Sequence, residues 1–205
     1  MLFCLFYSIF AVLNNNIMMK KIFIVCSAAC TMAFGSCGLS VGEKEIAAAD
    51  SLLTSLAEVY TVDFDTKGPD DITKIDYAVL HLYKVCPEKF QEGRKSYLVK
   101  IDKESVAAAA QYVFISPIKE HQSTNEVDFA DGFYEMRRPA DSEEFLYCKT
   151  EGVGVVSGDT LIINAGVYSG KTDAPRTEAS LYKKMTSKII FKDGAVKVAE
   201  YQEAH

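Results

Sequence analysis

The sequence predicts an α+β fold in which N-terminal helices pack on a C-terminal antiparallel meander sheet. Up to about residue 117 most apolar residues recur at steps of three and four, which is the period of an amphipathic helix. From Phe133 onward the apolar residues alternate with polar ones, which is the period of a half-buried strand. Helices first and strands second is the order expected of an α+β domain.

Three helices are predicted before the sheet. Residues 46–60 place apolar side chains on one helical face. The second helix covers residues 71–90, and Asp70 or Asp71 can cap its N-terminus. The third follows from the alanine-rich segment 102–117, where Pro117 is expected to end it.

The strands are predicted from alternation and from turn residues. A short strand at residues 97–101 lies between the second and third helices, and the polar segment 119–132 is predicted to be a loop. The meander strands are expected at residues 133–138, 144–156, 160–169, 181–191 and 195–201. Ser157-Gly158-Asp159 and the hairpin signal Asp193-Gly194 separate them.

The N-terminal region has the layout of an export signal. Lys20 and Lys21 form a basic segment, residues 22–34 are apolar, and small residues lead to Cys37. Translation is therefore expected to start at Met18 or Met19. The predicted organisation is a signal region at residues 1–37, a tether at 38–42 and a single α+β domain at 43–205.

Phe34-Gly35-Ser36-Cys37 resembles the lipobox of bacterial lipoproteins, although that family usually has Leu in place of Phe34. The resemblance implies that the Cys37 thiol is acylated and that the lipid holds the protein on a membrane. In this family Asp after the cysteine retains the protein in the inner membrane, and Gly38 stands there instead, which indicates the outer membrane. Cleavage after Gly35 by the ordinary signal peptidase is the alternative.

The element order also resembles that of cystatin-like and nuclear-transport-factor-2-like folds. These folds form a cone, so the resemblance implies a cone whose mouth either holds a ligand or is empty. No motif accompanies the resemblance, so it assigns no functional residue.

Composition and charge narrow the function. With 49% apolar and 24% charged residues, the chain belongs to the globular class. Residues 38–205 contain 20 basic and 28 acidic residues, a net charge of −8, which argues against a nucleic-acid partner. No sequence motif of a metal centre, cofactor site or catalytic nucleophile is present, so enzyme activity stays open but its absence is favoured.

The segment at residues 61–71 resembles a calcium loop in its spacing. Positions 1, 3, 6 and 9 of such a loop are matched by Asp63, Asp65, Gly68 and Asp71. Lys67 and Lys74, however, occupy positions 5 and 12, where carboxylate ligands are needed. We therefore favour a structural role for the aspartates, at the turn and at the start of the second helix.

Cys86 and Cys148 are the two cysteines that follow residue 37. An oxidising compartment allows a disulfide between them. Free cysteine is also among the most buried residue types, so two buried thiols are the other alternative.

The candidate ligand-binding residues are His81, Tyr77, Tyr134, Tyr147, Tyr168 and Arg137. Tyrosine combines apolar area with a polar tip, which suits a binding surface. His81 has no carboxylate one turn away, because Asp76 points elsewhere on an ideal helix. Arg137 and Arg138 can bind an anionic group, but solvated ion pairs with Glu143 and Glu144 are the favoured alternative. Packing of the aromatic rings in the core is the favoured alternative.

These observations predict an exported, lipid-anchored envelope protein, with the membrane as a partner through its N-terminal lipid. It is expected to bind a small ligand or another envelope protein without catalysis. The alternatives are an enzyme that has no recognised motif and uses a pocket near His81, and an assembly or accessory subunit.

Overall fold

A computed structural model describes residues 41–140, 143–157, 159–192 and 195–204. The predicted signal with Cys37, the start of the tether, and the turn residues Gly158 and Asp193-Gly194 lie outside these residues. The described part contains three α-helices and two four-stranded antiparallel sheets, which confirms the predicted α+β class. No helix in the described part is long and apolar enough to cross a membrane.

The three helices are α1 (Glu43–Glu58), α2 (Asp71–Val85) and α3 (Lys103–Val113). Asp70 caps α2 as predicted, because its carboxylate accepts the N–H of Thr73 at 2.8 Å. Asp102 caps α3 in the same way and accepts the N–H of Ser105 at 2.7 Å.

Two helices end earlier than predicted. Pro87 disfavours helical backbone at the preceding Cys86, so α2 ends at Val85 and a 3₁₀ turn follows at Pro87–Lys89. After α3 the buried Phe114 is extended, with ψ 154°, and pairs with Val198. The first helix end is set by proline and the second by the pairing of Phe114 with Val198, and the spacing of apolar residues indicates neither.

The first sheet consists of β1 (Gln91–Glu92), β2 (Leu98–Asp102), β3 (Asp128–Ala130) and β4 (Phe133–Arg137), in the order β1-β2-β4-β3. Two corrections apply here. β4 was predicted in the meander but pairs with β2, and β3 lies in a segment predicted to be loop. Asp131 and Gly132 join β3 to β4 with φ of 53° and 81°, the conformation of a two-residue hairpin turn.

The second sheet is the predicted meander of β5 (Glu144–Ser157), β6 (Thr160–Lys171), β7 (Ser180–Lys192) and β8 (Ala195–Glu203). Its strands pair in chain order, and α1 packs against it. The buried face carries Leu146, Cys148, Ile163, Val167, Ile189 and Tyr201.

The helical layer also covers the edges of this sheet. At β5 the side chains of Thr54 and Asp50 accept the N–H groups of Cys148 and Thr150, each at 2.8 Å. At β8 the segment after α1 forms an antiparallel bridge between Phe64 and Tyr201. These bonds satisfy backbone groups of the two edge strands that could otherwise pair with a strand of another chain. They also fix which face of the sheet lies against α1 and which is turned away.

Candidate functional site

The aspartates of residues 61–71 bind the protein's own backbone. Three of the carboxylates accept backbone N–H groups: Asp63 from Glu203, Asp65 from Lys67, and Asp70 from Thr73. Gly68 provides the left-handed turn, with φ 77°. No group of His, Cys, Asp or Glu arranged to hold a metal ion occurs among the described residues. The structural role favoured for these aspartates therefore agrees with their contacts.

Asp71 and Lys74 fasten a loop to the start of α2. Lys74 is only 3% exposed, and its ammonium lies 3.0 Å from the Asp71 carboxylate and 3.1 Å from the carbonyl of Pro117. Asp71 also accepts the N–H groups of Lys119 and Glu120. Burial acts to raise the pKa of Asp71, but these hydrogen bonds hold it below its usual value. Both charges are thus used within the fold.

His81 and Tyr77 stack on α2, with ring centroids 5.2 Å apart and an interplanar angle of 11°. The His81 Nδ1 is enclosed and makes no hydrogen bond in the described structure. Burial, assisted by the ammonium of Lys84, lowers the pKa of His81 to about 4. Asp76 bonds instead to the hydroxyl of Thr124. The imidazole is therefore neutral at neutral pH, and no carboxylate among the described residues bonds to it.

Tyr134 is a fully buried residue whose hydroxyl lies 2.7 Å from Nδ1 of His121. Phe129 packs against both rings, at 4.7 Å from Tyr134 and 5.7 Å from His121. Burial, with the nearby Asp71 carboxylate, raises the pKa of Tyr134 to about 12. Since the ring is inaccessible to solvent, its role is to hold the loop that carries His121.

Cys86 and Cys148 are both buried, and no disulfide joins them. Cys86 follows α2, whereas Cys148 lies on β5 beneath α1. Burial, with the charge of Asp50, raises the pKa of the Cys148 thiol to about 12. The disulfide alternative is therefore not what the structure contains.

Tyr147 and Tyr168 do come together on one accessible face. They are directly opposed on β5 and β6, and their rings stack with centroids 5.3 Å apart and an interplanar angle of 18°. Phe145 extends the stack, 6.0 Å from Tyr147 at 26°. Because side chains alternate along a strand, these rings face away from the side that buries Leu146. We call Phe145, Tyr147, Tyr168 and Arg176 the aromatic platform.

Two glycines of β6 make room for the rings. A Cβ at Gly170 would lie 2.8 Å from Cζ of Phe145, and a Cβ at Gly166 would lie 2.8 Å from Cε2 of Tyr168. A side chain at either position would displace a ring from the sheet surface. Glycine opposite or beside an aromatic residue is a sequence signal that could have indicated this packing.

Arg176 lies over the platform and was not among the predicted residues. Its guanidinium carbon is 5.4 Å from the ring centroid of Tyr147 and 5.7 Å from that of Phe145. The neighbouring Lys184 pairs with Glu151 at 3.3 Å, but Arg176 has no carboxylate within the described part of the chain. Its N–H donors are therefore available for an external acceptor. It lies in the β6–β7 connection, where no periodic pattern signals it.

Two exposed apolar residues of β7 extend the platform. Leu181, which pairs with Tyr168, is 47% exposed, and the adjacent Tyr182, the extra residue where the register shifts, is 60% exposed. Rigid rings, an aligned guanidinium and accessible apolar side chains suit recognition. The Tyr168 hydroxyl donates to the Glu151 carboxylate at 3.3 Å.

Arg137 lies elsewhere, at the end of β4 in the first sheet. Its guanidinium is 5.9 Å from the ring centroid of Tyr97. The six predicted candidates therefore occupy four separate places: Tyr77 with His81, Tyr134, Tyr147 with Tyr168, and Arg137. They do not form one pocket.

Comparison of the chain with protein-family models, with curated proteins and with solved structures gave no match. The resemblances to lipoproteins and to the two cone-like folds consequently stay predictions from the sequence.

Proposed function

We propose that this protein is an exported, lipid-anchored binding module that uses the aromatic platform to bind another protein of the cell envelope. The observation that carries the proposal is the stack of Phe145, Tyr147 and Tyr168 with Arg176 laid over it. Tyrosine and arginine, together with tryptophan, are enriched among the residues that contribute most to protein–protein binding energy. Rings already held by their neighbours lose little conformational freedom on binding.

The packing of the rings favours a protein partner over a small ligand. Tyr147 stacks against Phe145 and Tyr168 and lies under the Arg176 guanidinium, so little of its ring is left for a flat ligand to stack on. Leu181 and Tyr182 widen the accessible apolar area. The matching partner has an apolar centre and a carboxylate that the Arg176 guanidinium can bind through two N–H groups.

The membrane part of the proposal comes from the sequence. Residues 18–37 have the order of a lipoprotein signal, and acylation of Cys37 would confine the platform to the plane of the outer membrane. Metabolic labelling with a radioactive fatty acid tests this directly. Label is expected on the full chain and not on a Cys37→Ser variant, and label retained by the variant would refute acylation at Cys37.

Catalysis at His81 has no comparable support. An imidazole with a pKa of about 4 is a weak base at neutral pH, and no group bonds to its Nδ1 within the described structure. The third possibility, an accessory subunit, is a special case of the binding proposal in which the partner is a stoichiometric assembly.

Site-specific photocrosslinking of the full chain in cells tests the platform. A photoreactive phenylalanine replaces Tyr182, beside the platform, or Tyr112, a comparably accessible residue on α3 that serves as the control. We expect a discrete protein adduct from position 182 alone. Tyr147→Ala or Arg176→Ala, added to the position-182 chain, should abolish it. The same adduct from position 112, or an adduct that survives both substitutions, would refute the proposal.

A further inference from the structure

A second surface, on the first sheet, gathers positive charge around one exposed tyrosine. The ammonium of Lys95 is 5.6 Å from the ring centroid of Tyr97, and the guanidinium carbon of Arg137 is 5.9 Å from it. Arg138 donates its backbone N–H to the carbonyl of Tyr97 at 2.9 Å, which brings the backbone of a third basic residue to the same corner. We call Lys95, Tyr97, Arg137 and Arg138 the Tyr97 corner.

The cations of the Tyr97 corner have no carboxylate partner in the described part of the chain. Arg94 shows the contrast, because it pairs with Glu135 at 2.5 Å and with Asp128 at 3.4 Å. Those two carboxylates are thus already occupied. Like charges close together repel each other, and an anion between them removes that repulsion. Such a cluster is notable in a chain whose net charge is −6.

Tyr97 has no packing role that explains the cluster. Its side chain is 48% exposed, whereas the neighbouring Val99 and Ile101 of β2 face the core. The register pairs the next residue, Leu98, with Arg137, so the ladder fixes the backbone of Arg137 one position from Tyr97. Lys95 lies in the bend before β2.

We propose that the Tyr97 corner binds a phosphate group. The Arg137 guanidinium and the Lys95 ammonium suit an anion with several oxygens and more than one charge, and arginine matches phosphate geometry through paired N–H donors. The open, exposed setting suits a phosphate that stands on a surface, such as the headgroup of an anionic phospholipid, as well as a soluble phosphate. The corner lies on a different sheet from the aromatic platform, so the inference does not rest on the proposed function.

Arginine protection tests the site on protein purified in detergent from membranes of cells that express the full sequence. Phenylglyoxal modifies accessible arginines, and mass spectrometry of peptides reads each one separately. The probes are inorganic pyrophosphate and mixed micelles of phosphatidylglycerol, with phosphatidylcholine micelles as the uncharged comparison. Arg176, an exposed arginine over the aromatic platform, is the internal control.

We expect Arg137 to be protected while Arg176 stays reactive. Protection by pyrophosphate supports a site for soluble phosphates, and protection by phosphatidylglycerol alone supports a lipid headgroup. Absence of protection by either probe, or equal protection of Arg176, would overturn the inference.

Charge-matched variants give a second measurement. Replacement of Lys95, Arg137 and Arg138 by Gln should weaken binding of the effective probe about fivefold per cation, or about a hundredfold together. The control replaces three exposed lysines elsewhere by Gln: Lys44, Lys149 and Lys171. Calorimetric titration measures both variants. Equal weakening in the control would mean that net charge alone is responsible, which would overturn the site.

Discussion

Replacement of His81 by Phe is expected to prevent much of the loss of stability that acidification causes. Phenylalanine keeps an aromatic ring against Tyr77 and abolishes the ionisable group. It also eliminates the enclosed Nδ1 that has no hydrogen-bond partner. The variant therefore changes the charge chemistry of position 81 with little change in packing.

The magnitude follows from the pKa of His81, which burial lowers from 6.5 to about 4. Each pKa unit corresponds to about 1.4 kcal/mol, so full expression of this difference amounts to about 3 kcal/mol. The imidazole retains some exposure, and solvent reduces the effect to about 2 kcal/mol.

The sign follows from proton binding. Below pH 6.5 the unfolded chain binds a proton at His81 while the folded chain does not, so acid favours unfolding. The neutral His81 contributes fully to the free energy of unfolding above pH 6.5. This contribution decreases between pH 6.5 and about pH 4 and is lost below that.

Urea unfolding at about pH 7, 5.5 and 4 measures the free energy of unfolding of both proteins. The difference between wild type and His81→Phe should grow by about 2 kcal/mol in favour of the variant as the pH falls. A Lys84→Gln variant should reduce the acid loss slightly, because removal of this positive charge eases protonation of His81. Equal acid losses in wild type and His81→Phe would refute a neutral, enclosed imidazole.

Three further predictions concern backbone strain, the platform and a thiol. Tyr60 has φ 53° and is 67% exposed, so Tyr60→Gly should raise the free energy of unfolding by about 0.5–1 kcal/mol. Asp131→Gly, at the same φ, should raise it less, because aspartate tolerates this conformation better than tyrosine. A loss of stability in Tyr60→Gly would contradict the prediction. Gly170→Ala should destabilise by about 1–3 kcal/mol in urea because its Cβ meets a ring, whereas Gly154→Ala meets only an ordinary contact at 3.9 Å; equal costs would count against the platform packing. The Cys148 thiol, buried and with a pKa near 12, should resist iodoacetamide in the folded protein and react after unfolding, and rapid labelling in the folded state would disprove its burial.

Local pattern predicted most elements of the described fold. All three helices and β2, β4, β5, β6, β7 and β8 occur where apolar spacing placed them. The hairpin between β3 and β4 was missed although Asp131-Gly132 is a hairpin signal, because the residues around it are mostly polar. The end of α2 was misplaced because Pro87 was given less weight than the apolar spacing.

Long-range pairing is what the sequence did not determine. Alternation predicted β4 as a strand, but its partner β2 lies a helix and a loop earlier in the chain. The alternation of apolar and polar residues shows which side of a strand is buried, but it does not show which strand pairs with it. The same limit applied to the candidate residues, since spacing alone did not separate Tyr134 in the core from Tyr147 on the outer face.

By itself the sequence determined the α+β class, the acidic balance and the supply of tyrosines, because these depend on composition and local period, and it predicts an export signal. The tertiary structure decided that Tyr147 meets Tyr168 and that Arg176 lies over the stack. It also decided that Lys95 and Arg137 share one ring. These contacts depend on strand register and loop paths, which join residues that are distant in the chain, and they are where both proposed binding surfaces arise.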